Sequence, residues 1–162
     1  MTISVGDRLP EATLHRMGKD DPEAVSLGGK LKGRKVVIFG LPGAFTRTCS
    51  SAHVPSFIRT KAKFDAKGVD EIICISVNDA YVMQAWGEST GSAAAGITNL
   101  GDPNSEFTKA VGMNYSNQRS GFNDRSRRYA MYVVDGVVKV LHSGDSPGTC
   151  DRSGGEEMLA AI

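Results

Sequence analysis

Apolar residues cluster in this chain at two spacings. Val36, Val37, Ile38 and Phe39 form a short β-branched run within 35–40, which predicts a buried strand ending in a turn at 41–45. From 49 to 67 the spacing becomes helical, with Val54, Phe57, Ile58, Ala62 and Phe64 largely on one face. Pro55 lies inside that stretch, where its missing N–H predicts a kink, and Gly68 predicts the stop. A second buried strand follows at 71–77. Asn78 and Asp79 then cap a helix to about 89 that buries Val82, Ala85 and Trp86. Asp102 before Pro103 predicts another helix to about 111. Residues 128–134 and 137–141 make a hairpin across Asp135 and Gly136. Ser153 and Glu156 have capping-box spacing for a last short helix. Residues 14–32, rich in Gly, Lys and Asp, read as a loop or a hairpin.

The order is therefore strand, helix, strand, helix, helix, hairpin, helix. Strands alternating with helices pair in parallel, and the hairpin adds antiparallel strands. The expected class is α/β, a mixed central sheet with helices on both faces, of which a thioredoxin-like fold is one form.

Composition narrows the function. At 162 residues the chain has the length of one domain, 1–162, and its 40% hydrophobic and 23% charged content is globular. Lys and Arg number 19 against 18 Asp and Glu, a net charge of +1 that argues against a nucleic-acid or membrane-surface role. No run approaches the ~18 apolar residues that span a bilayer. Residues 1–7 lack the basic and apolar regions of a signal peptide. The expected location is the cytoplasm, or an organelle if a transit peptide has been removed. The cysteines, Cys49, Cys74 and Cys150, are too few for a disulfide framework, so each is structural, catalytic or redox-active. They come without C-x₂-C or H-x₃-H pairing, so neither a metal nor another cofactor is expected.

The informative stretch runs Pro42, Gly43, Ala44, Phe45, Thr46, Arg47, Thr48, Cys49. A cysteine between a buried strand and a helix meets unpaired backbone N–H groups and the positive end of the helix dipole, which favour a thiolate. Thr46, just outside the helix, can turn its hydroxyl toward the sulfur. Read alone, such a cysteine is also compatible with a small buried hydrophobe, and Thr46 with a turn residue.

That stretch resembles the P-x-x-x-T-x-x-C signature of the peroxiredoxins. Cys49 with Ser50, then His53, Val54 and Pro55, is similar to the type II, peroxiredoxin-5-like group. So are the runs 75–79 and 126–131, and the likeness extends from Val5 to the final helix. It implies a thioredoxin-like fold and a thiol-dependent peroxidase that reduces hydrogen peroxide and alkyl hydroperoxides at Cys49 through a sulfenic acid. Thr46, Pro42 and Arg128 are the implied companions of Cys49 in catalysis. Chemistry alone leaves Arg119, Arg125, Arg127 and Arg128 open, since Arg127 and Arg128 point to opposite faces of a strand; the resemblance selects Arg128. Arg125 and Arg127 read as a solvated basic patch. Arg47 stands where many relatives have proline, adding a cation near the thiol or simply lying in solvent. His53, four residues after Cys49, reads as a packing or hydrogen-bonding side chain, because a thiolate attacking a peroxide needs no general base.

A sulfenic acid must be resolved by a second thiol. Cys74 lies in a strand apolar on both faces and reads as structural. Cys150 lies in a glycine-bearing loop able to swing, and its position matches the resolving cysteine of some type II members. Others use an outside thiol such as glutaredoxin, glutathione or thioredoxin. The resemblance also implies a homodimer paired through loops near the site. The alternatives are a thioredoxin-like disulfide oxidoreductase, disfavoured because Cys49 is followed by Ser50, Ser51 and Ala52 and not by a C-x-x-C, and a redox sensor without turnover.

Overall fold

The computed structural model describes residues 2–146 and 149–162, with all of their side chains except those of Cys49 and Ser50. The chain opens with a hairpin, β1 (Thr13–Met17) and β2 (Pro22–Ser26), followed by the short helix α1 (Leu27–Leu31). The hairpin reading of 14–32 therefore holds over the loop reading, and Ser26 caps α1 by accepting from the Gly29 N–H. The next strand, β3, is Lys35–Gly40. A π turn at Cys49–His53 leads into α2 (Val54–Ala66). Pro55 thus stands at the second position of α2 and not within it. It has no N–H for the carbonyl four residues back and its ring displaces that carbonyl, so the preceding turn widens to π spacing. Gly68, at φ +86°, ends the segment as expected.

Strand β4 (Glu71–Ser76) precedes α3 (Ala80–Thr90), whose first turn is capped by the Asp79 carboxylate accepting from the Val82 N–H. This helix buries Ala80, Met83, Trp86 and Gly87, while Ala85, expected inside, faces out. The inward stripe is rotated by the true helix start, so Met83 takes the place assigned to Ala85. Strand β5 (Thr98–Gly101) had no clear signal because it is four residues long and half polar. The helix expected from Pro103 begins later, as α4 (Glu106–Ala110). Asp102 still caps it, accepting from the Phe107 and Thr108 N–H groups at 3.3 and 2.8 Å. A small ribbon of β6 (Asn114–Asn117) and β7 (Phe122–Ser126) encloses a 3₁₀ turn, Gln118–Ser120. The predicted hairpin is β8 (Tyr129–Val134) and β9 (Val137–Ser143), with Asp135 and Gly136 both at positive φ in its turn. The last helix, α5 (Gly155–Ala161), has Gly154 at its N-cap and no side-chain cap, so the Ser153 capping box does not form.

The central sheet runs β2-β1-β5-β4-β3-β8-β9. β3, β4 and β5 are parallel, and the hairpins add the antiparallel pairs on either side. Alternation along the strands splits the core in two. Val37, Phe39, Ile72 and Cys74 face α2, α3 and α5 through Phe57, Phe64, Trp86 and Met158. Val36, Ile38, Ile73 and Ile75 face α1 and α4 through Leu27, Leu31, Phe107 and Val111. Helices therefore cover both faces, as the strand–helix order predicts. Each large buried side chain contributes about 1.5–3 kcal/mol, so this frame is stiff where it meets the site.

Candidate active site

The site grows from the carboxyl end of β3, where open α/β sheets place their ligands. Gly40 pairs with Tyr129, and the Tyr129 ring lies so close that a Cβ at position 40 would stand 2.2 Å from its carbon. Because β8 runs antiparallel, its first residue lies beside the last residue of β3. Arg128, immediately before β8, is thereby delivered to the turn 41–46.

Leu41 anchors that turn in the core at 0% exposure. The Ala44 N–H donates to Asn78 Oδ1 at 3.0 Å, and the Ser76 hydroxyl donates to the same oxygen at 2.6 Å. Phe45 takes φ +63°, the left-handed geometry that lets the chain reverse, and leaves its ring 58% exposed. The Thr46 hydroxyl donates to the Gly43 carbonyl at 2.7 Å. With its proton committed there, it acts toward other groups as an acceptor. Helical geometry begins at 47–48 and passes into the π turn that opens with Cys49. The Cys49 backbone therefore stands in the first turn, as expected, while its side chain lies outside the described residues.

Arg128 is 1% exposed and its Nη1 donates to His53 Nδ1 at 3.0 Å. On the other side of the ring, His53 Nε2 lies 2.9 Å from the Ser153 carbonyl. A guanidinium can only donate and a carbonyl can only accept, so the proton of His53 sits on Nε2. The ring is wholly buried, 5.0 Å from the Phe39 ring and 5.7 Å from the Phe57 ring. That burial, reinforced by the Arg128 charge, brings its pKa down to about 3. His53 is thus a neutral hydrogen-bonding link, the reading favoured from sequence. Its partner Arg128 was not foreseeable, since the contact spans 75 positions.

Arg127 is exposed, as the basic-patch reading has it, and so is Arg47. Arg125 departs from that reading. It is half-buried, donates from Nη1 to the Pro42 carbonyl at 3.1 Å, and lies 5.1 Å from the centre of the Phe122 ring. It presses on Gly43 closely enough that a Cβ there would meet its Nη1 at 2.3 Å. Its charge was read as solvated because the two-stranded ribbon that turns it inward is short and polar. Pro42 itself is buried.

Cys74 is fully buried in β4 among the residues under α2 and α3. Cys150 is half-buried in the segment between β9 and α5. Burial raises the pKa of its thiol, against the opposing charge of Arg128 and a hydrogen bond with Ser153. The Cys150 thiol thus senses the charge of the site arginine. No helix among the described residues is long and apolar enough to cross a membrane.

The family described as Redoxin matches residues 4–159. The chain is 48% identical over 165 residues to peroxiredoxin-2E-2, chloroplastic, of Oryza sativa subsp. japonica, covering 99% of this chain and 73% of that protein. Reduced Prx3 from Vibrio vulnificus, solved in complex with hydrogen peroxide, is 42% identical with a TM-score of 0.90, covering 99% of each chain. Peroxiredoxin 5 from Alvinella pompejana is 30% identical with a TM-score of 0.84, covering 98% of this chain and 97% of that one. The chain belongs to the peroxiredoxins, of the type II, peroxiredoxin-5-like kind, and is a thioredoxin-like, thiol-dependent peroxidase.

Proposed function

We propose that Cys49 is the peroxidatic thiol, that Arg128, Thr46 and Pro42 form its catalytic surroundings, and that Cys150 resolves it. As a peroxiredoxin the protein takes a hydroperoxide and a thiol reductant. The Cys49 thiolate attacks the terminal oxygen of R–O–O–H. The S–O bond forms as the O–O bond breaks, leaving Cys49 as a sulfenic acid and R–O⁻, which takes a proton to leave as the alcohol or water. An ordinary thiol near pKa 8.5 is only a few per cent ionised at pH 7, and lowering its pKa also weakens it as a nucleophile. Most of the acceleration must therefore come from donors aimed at the stretching O–O bond.

The observation that carries this reading is the buried guanidinium of Arg128, fixed at 3.0 Å on His53 beside the Cys49 turn. A rigid cation with several N–H groups suits both the sulfur and the peroxide oxygens. Thr46, its proton given to Gly43, accepts from the peroxide O–H. Pro42 shields the sulfur from water, with its carbonyl held by Arg125. The Cys150 thiolate then attacks the sulfenic sulfur: an S–S bond forms and hydroxide departs, taking a proton to become water. Two electrons from a thiol of the glutaredoxin, glutathione or thioredoxin class restore both cysteines.

The family match over 4–159 supports a single peroxiredoxin domain across 1–162. The exposed Phe45 ring supports a homodimer paired through the site-side loops. Relatives named chloroplastic support an organelle as the location, with the cytoplasm as the other setting.

Cys49→Ser should abolish thiol-dependent peroxide consumption, while Cys74→Ser leaves it near the parental rate. One equivalent of peroxide should yield a Cys49–Cys150 disulfide within one chain, found by peptide mapping after non-reducing digestion. A Cys49–Cys74 link, or a lasting sulfenic acid with Cys150 reduced, would refute the resolving role. Continued turnover by Cys49→Ser would refute the peroxidatic one.

A further inference from the structure

We infer that Asp145, through Ser153 and His53, is a positioning residue for Arg128, so that the segment carrying Cys150 also holds the cation of the peroxide site. The inference rests on the reading of Arg128 as the peroxide-binding cation.

Each link is a short contact. The Asp145 carboxylate accepts from the backbone N–H groups of Asp151 at 3.2 Å, Arg152 at 2.9 Å and Ser153 at 3.0 Å. It also accepts from the Ser153 hydroxyl at 2.6 Å. Four donors from 151–153 on one carboxylate gather those three residues at Asp145 and fix where the Ser153 peptide stands. The carbonyl of that same residue accepts from His53 Nε2 at 2.9 Å, and His53 Nδ1 accepts from Arg128 Nη1 at 3.0 Å.

The bond to His53 Nδ1 is one of the contacts that orient Arg128. A guanidinium on a flexible stem needs an acceptor to fix its plane, and Nδ1 serves only while the proton stays on Nε2. The Ser153 carbonyl imposes that tautomer. If the carbonyl moves away, the buried ring can carry its proton on Nδ1 instead, which would turn a donor toward a donor. The charge of Asp145 also reaches His53, opposing the depression of its pKa. Burial works against the Asp145 carboxylate, yet the hydrogen bonds from Ser153, Arg152 and Asp151 hold its own pKa below the ordinary range. The loop is therefore centred on an anion.

The test uses full-length protein carrying Cys150→Ser, so that resolution cannot obscure the first step. Stopped flow gives the rate constant for Cys49 oxidation by hydrogen peroxide, and iodoacetamide gives the alkylation rate of the same thiol. Asp145→Ala should slow oxidation roughly tenfold, part of the ~10²–10³ expected when a preorganised donor is removed outright. Alkylation, which feels the arginine only through the thiolate and has no O–O bond for it to stabilise, should change far less. Asp145→Asn, which keeps one acceptor oxygen, should fall between. In a His53→Asn background, where an amide oxygen replaces Nδ1 but the link to Ser153 is cut, Asp145→Ala should add nothing.

An unchanged oxidation rate, an equal loss in both reactions, or additive losses in the double variant would each overturn the inference. If Asp145→Ala does not fold, Ser153→Ala, which removes only the hydroxyl contact, is read by the same three criteria. Failure of the underlying reading is separable, because it appears as Arg128→Ala oxidising at the parental rate.

Discussion

The two halves of the site are held by different means. The turn 41–46 and Arg128 hang from the central sheet at the paired positions Gly40 and Tyr129, with the whole β3–β8 ladder behind them. The half that carries Cys150 lies beyond β9, which ends at Ser143, and its residues 151–153 are tied to the Asp145 carboxylate. A strand at the centre of a sheet cannot move without breaking hydrogen bonds on both sides. Residues gathered on one half-buried carboxylate can open by exchanging those bonds for water. The proposed mechanism, which fixes a cation and brings Cys150 to Cys49, uses one of each.

The sharpest test of the sheet-held half compares neighbouring arginines. Arg128→Ala should slow Cys49 oxidation by ~10²–10³, the usual effect of losing a preorganised donor. Arg127→Ala, which alters an exposed side chain, should change it by less than about twofold. Stopped-flow rates for the two variants decide the matter. The reverse ranking would mean that the end of β8 does not present Arg128 to the peroxide.

This facing was legible in advance because it depends only on strand alternation and on the motif. The runs at 35–40 and 71–76 were equally plain, being mostly apolar and rich in β-branched residues. What could not be read were features made by distant contacts. His53 meets Arg128 and Ser153 across 75 and 100 positions, and no local spacing encodes that. Arg125 turns inward on a ribbon too short and polar to register as strand. The start of α4 slipped because Asp102 caps from five and six residues away, beyond a local capping pattern. The Ser153 box failed because α5 begins one residue late, with Gly154 at its N-cap and both the N–H and the hydroxyl of Ser153 turned to Asp145. In each case a long-range partner outcompeted the local rule.

The junction of the two halves is His53, and it should give the protein an acid liability. The folded state holds this ring neutral down to about pH 3, while an unfolded chain protonates it near 6.5. Below pH 6.5 the unfolded state binds the extra proton, so stability falls with pH through that window. At 1.36 kcal/mol per unit, the loss between pH 6.5 and 4 amounts to about 3 kcal/mol. His53→Asn removes the titrating group. Its stability deficit against the parent, measured by urea unfolding, should therefore shrink by about that amount between pH 7 and pH 4. A deficit constant with pH would mean that the ring is not held neutral, and the contrast between a fixed tautomer and a loosely held loop would lose its basis.

The smallest expected effect asks whether the sheet-held half needs polar fixing beyond the His53 bond to Arg128. Tyr129 is wholly buried, its ring filling the space left by the absent side chain of Gly40. Its hydroxyl has no hydrogen-bond partner among the described residues, and burial raises its pKa above the ordinary phenol range. An unsatisfied buried hydroxyl costs about 1–3 kcal/mol relative to one that is bonded, whereas the ring contributes through packing alone. Tyr129→Phe keeps the ring and removes the liability. It should leave Cys49 oxidation unchanged and raise the unfolding free energy by up to about 1 kcal/mol. A slower oxidation step would show that the hydroxyl orients Arg128 next to it, and a clear loss of stability would show that it is bonded after all. Either result would put a second polar support, besides the His53 bond to Arg128, under the sheet-held half of the site.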